Sequence, residues 1–149
     1  MFRFSLQTAL EVRKKQEKIR LKELAEKIAI EQEIKQTIAE IEEQTAYAER
    51  DVNSKKNDRL FTIGQLRHLT SFKKRKKLEL ADHSQKLELA KKRVEEKRNN
   101  LVQASRARKT LEILRDREER RYSEKNARIE RKQEDEIAGN QFFLNRGSL

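Results

Sequence analysis

The absence of helix breakers constrains this chain more than any other feature. Its 149 residues include no proline, and the three glycines are Gly64, Gly139 and Gly147. Glutamate, lysine, arginine, leucine and alanine are abundant, and their side chains lose little rotamer freedom in a helix. The sequence therefore predicts long helices. Charged residues make up 42% of the chain and aromatic residues 5%, a composition that argues against a globular core.

Disorder is the alternative for so polar a chain, and the apolar periodicity argues against it. In the N-terminal half, Leu21, Leu24 and Ile28 have the three-four spacing of a coiled coil. That spacing resumes at Ile34, Ile38, Ile41, Thr45, Ala48 and Val52. An overlapping series at intervals of 11, the repeat that straightens a coiled coil or turns it weakly right-handed, consists of Ile19, Ile30, Ile41 and Val52.

The C-terminal half has a cleaner seven-residue repeat. Its main column is Leu80, Leu87, Val94 and Leu101, with His83, Ala90, Ala104 and Leu111 at the alternate positions. A stripe this narrow is sufficient to pack against one partner helix and too narrow for a globular core. We therefore expect an all-α fold in which two long helices form an antiparallel coiled-coil hairpin.

The helix boundaries follow from local turn chemistry. Residues 53–58 are a polar cluster of turn formers, and Thr62 and Gln65 have the spacing of a capping box at a helix start. Gly139 is a plausible C-terminal stop. We predict one coiled-coil domain over residues 1–149, with helix one at about 5–52, a turn at about 53–62, helix two at about 65–137 and a tail at 138–149.

The predicted hairpin leaves the end of helix two without a partner. If the turn is centred near residue 58 or 59, residue i faces about residue 117 minus i, so that Leu6 meets Leu111 and helix one ends near Leu114. Between Arg115 and Glu136, 16 of 22 residues are charged. This segment has no apolar face to bury, and i,i+4 ion pairs alone make it a marginal helix. We expect a charged helical overhang.

The net charge of +11 is concentrated in the middle of the chain. Residues 56–109 hold 17 basic and 6 acidic side chains, whereas the flanking segments are balanced. This pattern indicates an electropositive stretch that attracts an acidic partner. A basic coiled coil that binds nucleic acid is an alternative, although aromatic residues for base stacking are scarce. A generic coiled coil that dimerises between chains is another.

Several classes of function are excluded by what the sequence lacks. There is no cysteine, so neither a disulfide framework nor a thiolate metal site is expected. The longest uncharged run, Ile137–Asn145, is far shorter than the roughly 20 residues that span a bilayer, and no signal peptide is evident. His68 and His83 are isolated, and the glycines lack phosphate-loop spacing. We predict a soluble, cytoplasmic protein that is not an enzyme and has no cofactor or metal.

Three groups of residues carry a family resemblance. They are the opening Phe4, Leu6, Leu10 and Arg13; the capped Thr62, Gly64 and Arg67 followed by Leu69 and Phe72; and the late Arg108, Lys109, Leu111 and Leu114 leading to residues 135–138. In this order and spacing they resemble the FliJ family, small cytoplasmic components of the flagellar type III export apparatus. The resemblance covers nearly the whole chain.

The resemblance implies a stalk similar to the gamma subunit of rotary ATP synthases. Family members associate with the hexameric export ATPase FliI, link it to the export gate protein FlhA and interact with export chaperones. By this analogy the chain is peripheral at the cytoplasmic face of the export apparatus. It associates through partners, without membrane insertion and without nucleic acid.

The resemblance also implies two binding surfaces. The surface for the ATPase ring is the open end of the hairpin, with Phe4, Leu6, Leu10, Arg13, Arg115, Arg117, Arg120, Arg121, Tyr122 and Arg128. The surface for the export gate comprises Tyr47, Phe72 and His83. Between these last two, Lys76 and Glu79 stand where the family usually shows small or apolar residues. Two alternatives stay open: Phe72 is a contact or a seam residue, and residues 142–144 are a frayed tail or a hydrophobic anchor.

Overall fold

The computed structural model describes residues 2–146, and the side chains of residues 2–142. Two helices account for almost all of this part of the chain, namely α1 (Gln7–Lys55) and α2 (Ile63–Arg146), and the described residues contain no strand. The two helices pack against each other in antiparallel fashion, as the ion pairs of Glu49 with Lys73, Glu23 with Lys97 and Glu17 with Arg108 show. The predicted all-α hairpin of two long helices is confirmed.

The chain divides into two compact units, and both helices contribute to each of them. The terminal unit combines Met1–Glu17 with Gln103–Leu149, and the turn unit is Lys18–Val102. The prediction that the chain is a single coiled-coil domain stays a prediction.

The turn unit buries a thin layer between its two helix segments. Leu24 and Ile41 of α1 and Ala90 and Val94 of α2 are its buried apolar residues. The seven-residue column of α2 is correctly predicted, because Leu80, Leu87 and Leu101 are half-buried beside the buried Val94. The 11-residue series is correct in part only. Its first two members, Ile19 and Ile30, are exposed, since a two-helix interface covers one narrow stripe of each helix.

The terminal unit has the one fully buried large side chain among the described residues. Leu10 has no exposed surface, and Phe4 is also buried. The Gln7 N–H donates to the Phe4 carbonyl (3.3 Å), and the Leu10 N–H donates to the Leu6 carbonyl (3.0 Å). These bonds tie the residues before α1 to its first turn, so that Phe4 is held against the hairpin.

The connection between the helices consists of two successive turns and a cap. The Asp58 N–H donates to the Lys55 carbonyl, and the Phe61 N–H donates to the Asp58 carbonyl, both at 3.0 Å. The Thr62 N–H donates to Gln65 Oε1 (3.1 Å), which is the glutamine half of the predicted capping box. The Gln65 N–H donates to the Thr62 carbonyl (3.1 Å). In a full capping box the Gln65 N–H would donate to the Thr62 hydroxyl, and here it donates to the Thr62 backbone carbonyl instead.

The predicted end of helix two at Gly139 is wrong. Helix α2 continues through Gly139 to Arg146, and none of the described glycines has a positive φ. A glycine ends a helix by adopting the left-handed conformation. With no proline after it, Gly139 stays right-handed and the helix continues. Of the predicted tail, residues 138–146 are helical, and residues 147–149 lie outside the described part of the chain.

The predicted register is also wrong. It places residue 94 opposite Glu23 and residue 100 opposite Glu17, whereas Glu23 meets Lys97 and Glu17 meets Arg108. An ion pair between Lys73 and Glu49 shows that the shift is present close to the connection. The chain makes two successive turns over residues 55–61 before α2 begins. Counting from the midpoint of the connection ignored this geometry.

Glu23 joins the two helices of the turn unit electrostatically. Its Oε2 accepts from Lys97 Nζ at 3.0 Å and from Arg20 Nη1 at 3.1 Å. The hydrogen bonds from Lys97 and Arg20 hold the pKa of Glu23 below its ordinary value of 4.5. A carboxyl group whose pKa is lower in the folded state stabilises that state above its ordinary pKa. It loses this contribution as the pH falls through the lower folded value.

We expect Glu23→Gln to lower the urea midpoint at neutral pH and to reduce the loss of stability on acidification to about pH 3. The amide has the shape of the carboxylate and lacks its charge, so its attraction for Lys97 is weaker at neutral pH and does not change on acidification. Urea titrations at the two pH values measure the difference. Glu26→Gln is the matched control, because Glu26 is exposed on the same helix. Equal acid sensitivity in both variants contradicts the assignment.

Candidate functional site

Neither a metal-binding cluster nor a membrane-spanning helix occurs among the described residues. They contain no group of three or more His, Cys, Asp or Glu side chains that could hold a metal ion. Within the same residues, neither helix has a stretch apolar enough to cross a membrane. The candidate sites predicted from the sequence are surfaces, and each unit contains one of them.

An aromatic pair lies at the terminal unit. The rings of Phe2 and Tyr122 are 5.8 Å apart at 46° to one another, within the favourable range for a tilted aromatic pair. A hydrogen bond with the Asn126 side chain lowers the pKa of Tyr122. The residues before α1 thus extend along α2 as far as Tyr122. The predicted start of the overhang at Arg115 is therefore wrong, and the overhang is the part of α2 beyond Tyr122.

A groove of about 660 Å³ lies beside this pair. From the N-terminal part of the chain it is lined by Phe2, Arg3, Phe4 and Gln7. From α2 it is lined by Arg115 and Glu119. A lining of two phenylalanines with two arginines and one glutamate suits a protein partner that inserts a side chain. Sequence reasoning did not include Phe2, Arg3, Gln7 and Glu119 in this surface, although the predicted register already places Phe2 opposite Arg115.

A cluster of charged residues fastens the two helices of the terminal unit. Arg108 Nε lies 2.5 Å from Glu17 Oε2, and Arg108 Nη1 lies 2.5 Å from Glu112 Oε2. Lys14 Nζ is 3.8 Å from Glu112 Oε1. The Glu112 hydrogen bond, with that of Glu17, raises the pKa of Arg108. This cluster was not predicted, although the charged residues that flank the apolar stripe indicate such pairs.

The predicted ATPase-facing residues divide by exposure. Leu10 and Phe4 are buried, and Leu10 therefore holds the hairpin together from within. Arg115 and Tyr122 are half-buried beside the groove. The exposed members are Leu6, Arg13, Arg117, Arg120, Arg121 and Arg128. Contact between these exposed residues and a ring stays a prediction.

Beyond Tyr122, helix α2 presents charged side chains to solvent. From residue 123 to residue 142, Asn126, Ala127 and Gly139 are half-buried and the other described residues are exposed. Phe142 is among the exposed ones, and the side chains of Phe143 and Leu144 lie outside the described residues. The overhang is therefore a helix whose described side chains are mostly exposed.

The predicted gate-binding residues lie in the turn unit at different levels of the hairpin. Tyr47 is exposed, whereas Phe72 and His83 are half-buried. Phe72 lines a cavity of about 530 Å³ together with Ala48, Val52 and Phe61. Neither Tyr47 nor His83 lines it. Phe72 and His83 are separated by about three helical turns, so the cavity brings together only part of the predicted surface.

Lys76 and Glu79 act directly on the environment of Phe72. Lys76 Nζ lies 5.6 Å from the centre of the Phe72 ring, a cation–π distance. The same ammonium group bonds to Glu79 Oε2 at 2.9 Å. A partner that contacts the face of Phe72 beneath this ammonium group must displace the lysine, and a partner that contacts the ring beside it must tolerate the positive charge. An acidic partner is therefore favoured over an apolar one.

Much of the positive charge in the middle of the chain is paired. Lys73, Lys86, Lys91, Lys97, Arg98 and Arg108 each form an ion pair with a carboxylate. A nucleic-acid interface requires cations that are free to contact phosphates. The pairing thus removes part of the support for the nucleic-acid alternative. Because the helices pair within the chain, the alternative with helices paired only between chains is also disfavoured.

A comparison with known protein families decides the broad assignment. The sequence model of the flagellar FliJ protein matches residues 2–147. The chain belongs to the FliJ family. The match spans nearly the whole chain and confirms the resemblance noted from the sequence. No curated protein and no solved structure matches the chain significantly. Membership of the FliJ family implies a role in the flagellar export apparatus, and hence in flagellum biogenesis and protein transport.

Proposed function

We propose that the chain is a stalk and adaptor of the flagellar export apparatus. It binds the hexameric ATPase FliI through the terminal unit, binds the gate protein FlhA through the turn unit, and catalyses no reaction itself. The observation that carries this proposal is the overhang, whose exposed helix beyond Tyr122 lies next to the groove of the terminal unit. In this function the chain is cytoplasmic and peripheral, and export chaperones are additional partners.

The chemistry of the two surfaces supports different partners. The terminal unit presents exposed arginines on α2, including Arg117, Arg120 and Arg121, which suit carboxylates on the inner wall of a ring. The turn unit presents Phe72 under the Lys76 ammonium group, which suits an acidic segment with an apolar anchor. Separate surfaces allow both partners to bind at once.

We expect the triple variant Arg117→Gln, Arg120→Gln, Arg121→Gln to bind FliI roughly fivefold more weakly, with a steeper loss at low salt than at high salt. The three side chains are exposed, so the fold should be retained. Co-elution with FliI and the rate of ATP hydrolysis are measured. The control is the triple variant Lys92→Gln, Arg106→Gln, Lys109→Gln, which has the same net charge. If unaltered protein neither co-elutes nor stimulates hydrolysis, the proposal is wrong.

For the gate surface, we expect Phe72→Ala to weaken binding of FlhA by about tenfold, because aromatic anchors contribute strongly to interfaces. A pull-down with the cytoplasmic part of FlhA measures this loss. Leu69→Ala, a half-buried neighbour that lines the same cavity, is the control for altered packing. Equal losses in the two variants indicate a general disturbance of the cavity and contradict a specific contact by Phe72.

A further inference from the structure

The connection between the helices exposes large apolar side chains at the end of the turn unit. Leu60 is 88% exposed and Ile63 is 76% exposed, the highest values for large apolar side chains among the described residues. Leu66, on the first turn of α2, is also exposed. Several such side chains within seven residues form a patch, and exposed patches mark binding surfaces.

Cations lie within a few residues of these apolar side chains in the same connection. Lys56, Arg59 and Arg67 are exposed, and no carboxylate of the described residues forms an ion pair with any of them. Asp58 is the one acidic residue between Val52 and Leu78. The end of the turn unit therefore combines protruding apolar side chains with an excess of positive charge.

The shape of this patch distinguishes it from the cavity beside it. The cavity is lined by Phe61, Thr62 and Gln65, and neither Leu60 nor Ile63 is among its lining residues. A peptide seated in the cavity would leave both side chains in water. A broad surface with an anionic outer layer over an apolar interior would cover both side chains together with the cations.

We propose that the connection binds the surface of an anionic lipid bilayer. Leu60 and Ile63 enter the headgroup region, and Lys56, Arg59 and Arg67 contact the lipid phosphates and carboxylates. Interfacial binding of this kind depends on buried apolar area and on attraction to anionic lipids. It needs no spanning helix, and none is present in the described residues. The proposal goes beyond the adaptor function and requires neither FliI nor FlhA.

The absence of tryptophan from the chain permits a direct test. In Leu60→Trp the new indole is the single tryptophan. We expect its emission to shift to shorter wavelength when vesicles of phosphatidylcholine with one third phosphatidylserine are added, and to stay unchanged with phosphatidylcholine alone. Leu78→Trp is the control, because Leu78 is 66% exposed on α2 outside the connection. A shift in the control alone, or in neither variant, overturns the proposal.

Vesicle sedimentation of the full chain tests the two components separately. We expect Leu60→Ser with Ile63→Ser to bind anionic vesicles at least about tenfold more weakly, since two exposed apolar side chains lose their burial. Lys56→Gln, Arg59→Gln, Arg67→Gln should weaken binding by roughly a hundredfold. The control with Lys92, Arg106 and Lys109 replaced should bind nearly as well as unaltered protein.

Two results contradict the membrane assignment. Equal loss in the two charge variants indicates attraction by net charge alone and overturns a specific role for the connection. If unaltered protein fails to sediment with anionic vesicles but binds poly-glutamate through Lys56, Arg59 and Arg67, the surface belongs to an acidic protein partner. Because neither assay contains FliI or FlhA, failure here is independent of failure of the adaptor function.

Discussion

We expect Leu10→Ala to lower the free energy of unfolding by about 3 kcal/mol. Leu10 has no exposed surface, so its truncation removes buried apolar surface and leaves a cavity against α2. Two helices offer few neighbours that can move in to fill it. A domain of this size is stabilised by roughly 5–15 kcal/mol, and one substitution therefore removes a large share. Urea denaturation followed by circular dichroism measures the change.

Leu21→Ala is the matched control for this prediction. It has the same change of side chain in the same helix, but Leu21 is 55% exposed. We expect a loss below about 1 kcal/mol, because little apolar surface leaves a buried environment. Leucine and alanine both favour helix, so propensity does not distort the comparison. Similar losses in the two variants contradict the burial of Leu10.

The second large effect concerns the overhang. We expect removal of residues 123–149 to reduce stimulation of FliI hydrolysis to near the basal rate, because the exposed helix that would enter the ring is lost. Truncation at this point retains Tyr122 and its contact with Phe2, and it retains the ion pairs of Arg108 with Glu17 and Glu112. The hairpin should therefore remain folded, which the urea midpoint of the truncated chain checks.

Two further chains separate length from sequence. Removal of residues 139–149 alone leaves most of the overhang and should retain most of the stimulation. A chain in which residues 123–138 are scrambled at constant composition tests whether particular side chains are recognised. Full stimulation by the chain without residues 123–149 refutes the role of the overhang. If the scrambled chain stimulates fully and the chain without residues 123–149 does not, a charged helix of sufficient length is enough for stimulation.

The sequence predicted the hairpin because its two signals are local. The seven-residue column through Leu87 and Val94 identifies the buried stripe of α2, and the cap at Thr62 and Gln65 identifies the start of that helix. Both depend on residues within a few turns of each other. Periodicity also distinguishes a packed helix from a disordered polar segment, since disorder imposes no spacing on apolar residues.

The register and the candidate sites could not be obtained in the same way. Which residues face each other depends on the path of residues 56–62, and the bond from Phe61 to Asp58 has no periodic signature. The predicted register places Phe2 opposite Arg115, whereas its ring contacts Tyr122, seven residues further along α2. The sequence predicts a helix stop at Gly139 because glycine permits the left-handed conformation, but glycine does not require that conformation. The exposure of Leu60 could not be predicted either, because Leu60 lies in the connection, where no helical periodicity separates exposed from buried residues.

The thin core of the hairpin has a consequence for how the molecule responds to its partners. Its buried apolar residues occur one at a time along the chain, with Phe4 before α1 and Leu10, Leu24 and Ile41 on it. Because these residues are spaced along the helix axis, stability accumulates along that axis as it does in a repeat protein. Opening then proceeds by short segments with their own free energies. A partner that clamps one segment suppresses fraying there first, and distant segments keep their own opening equilibria.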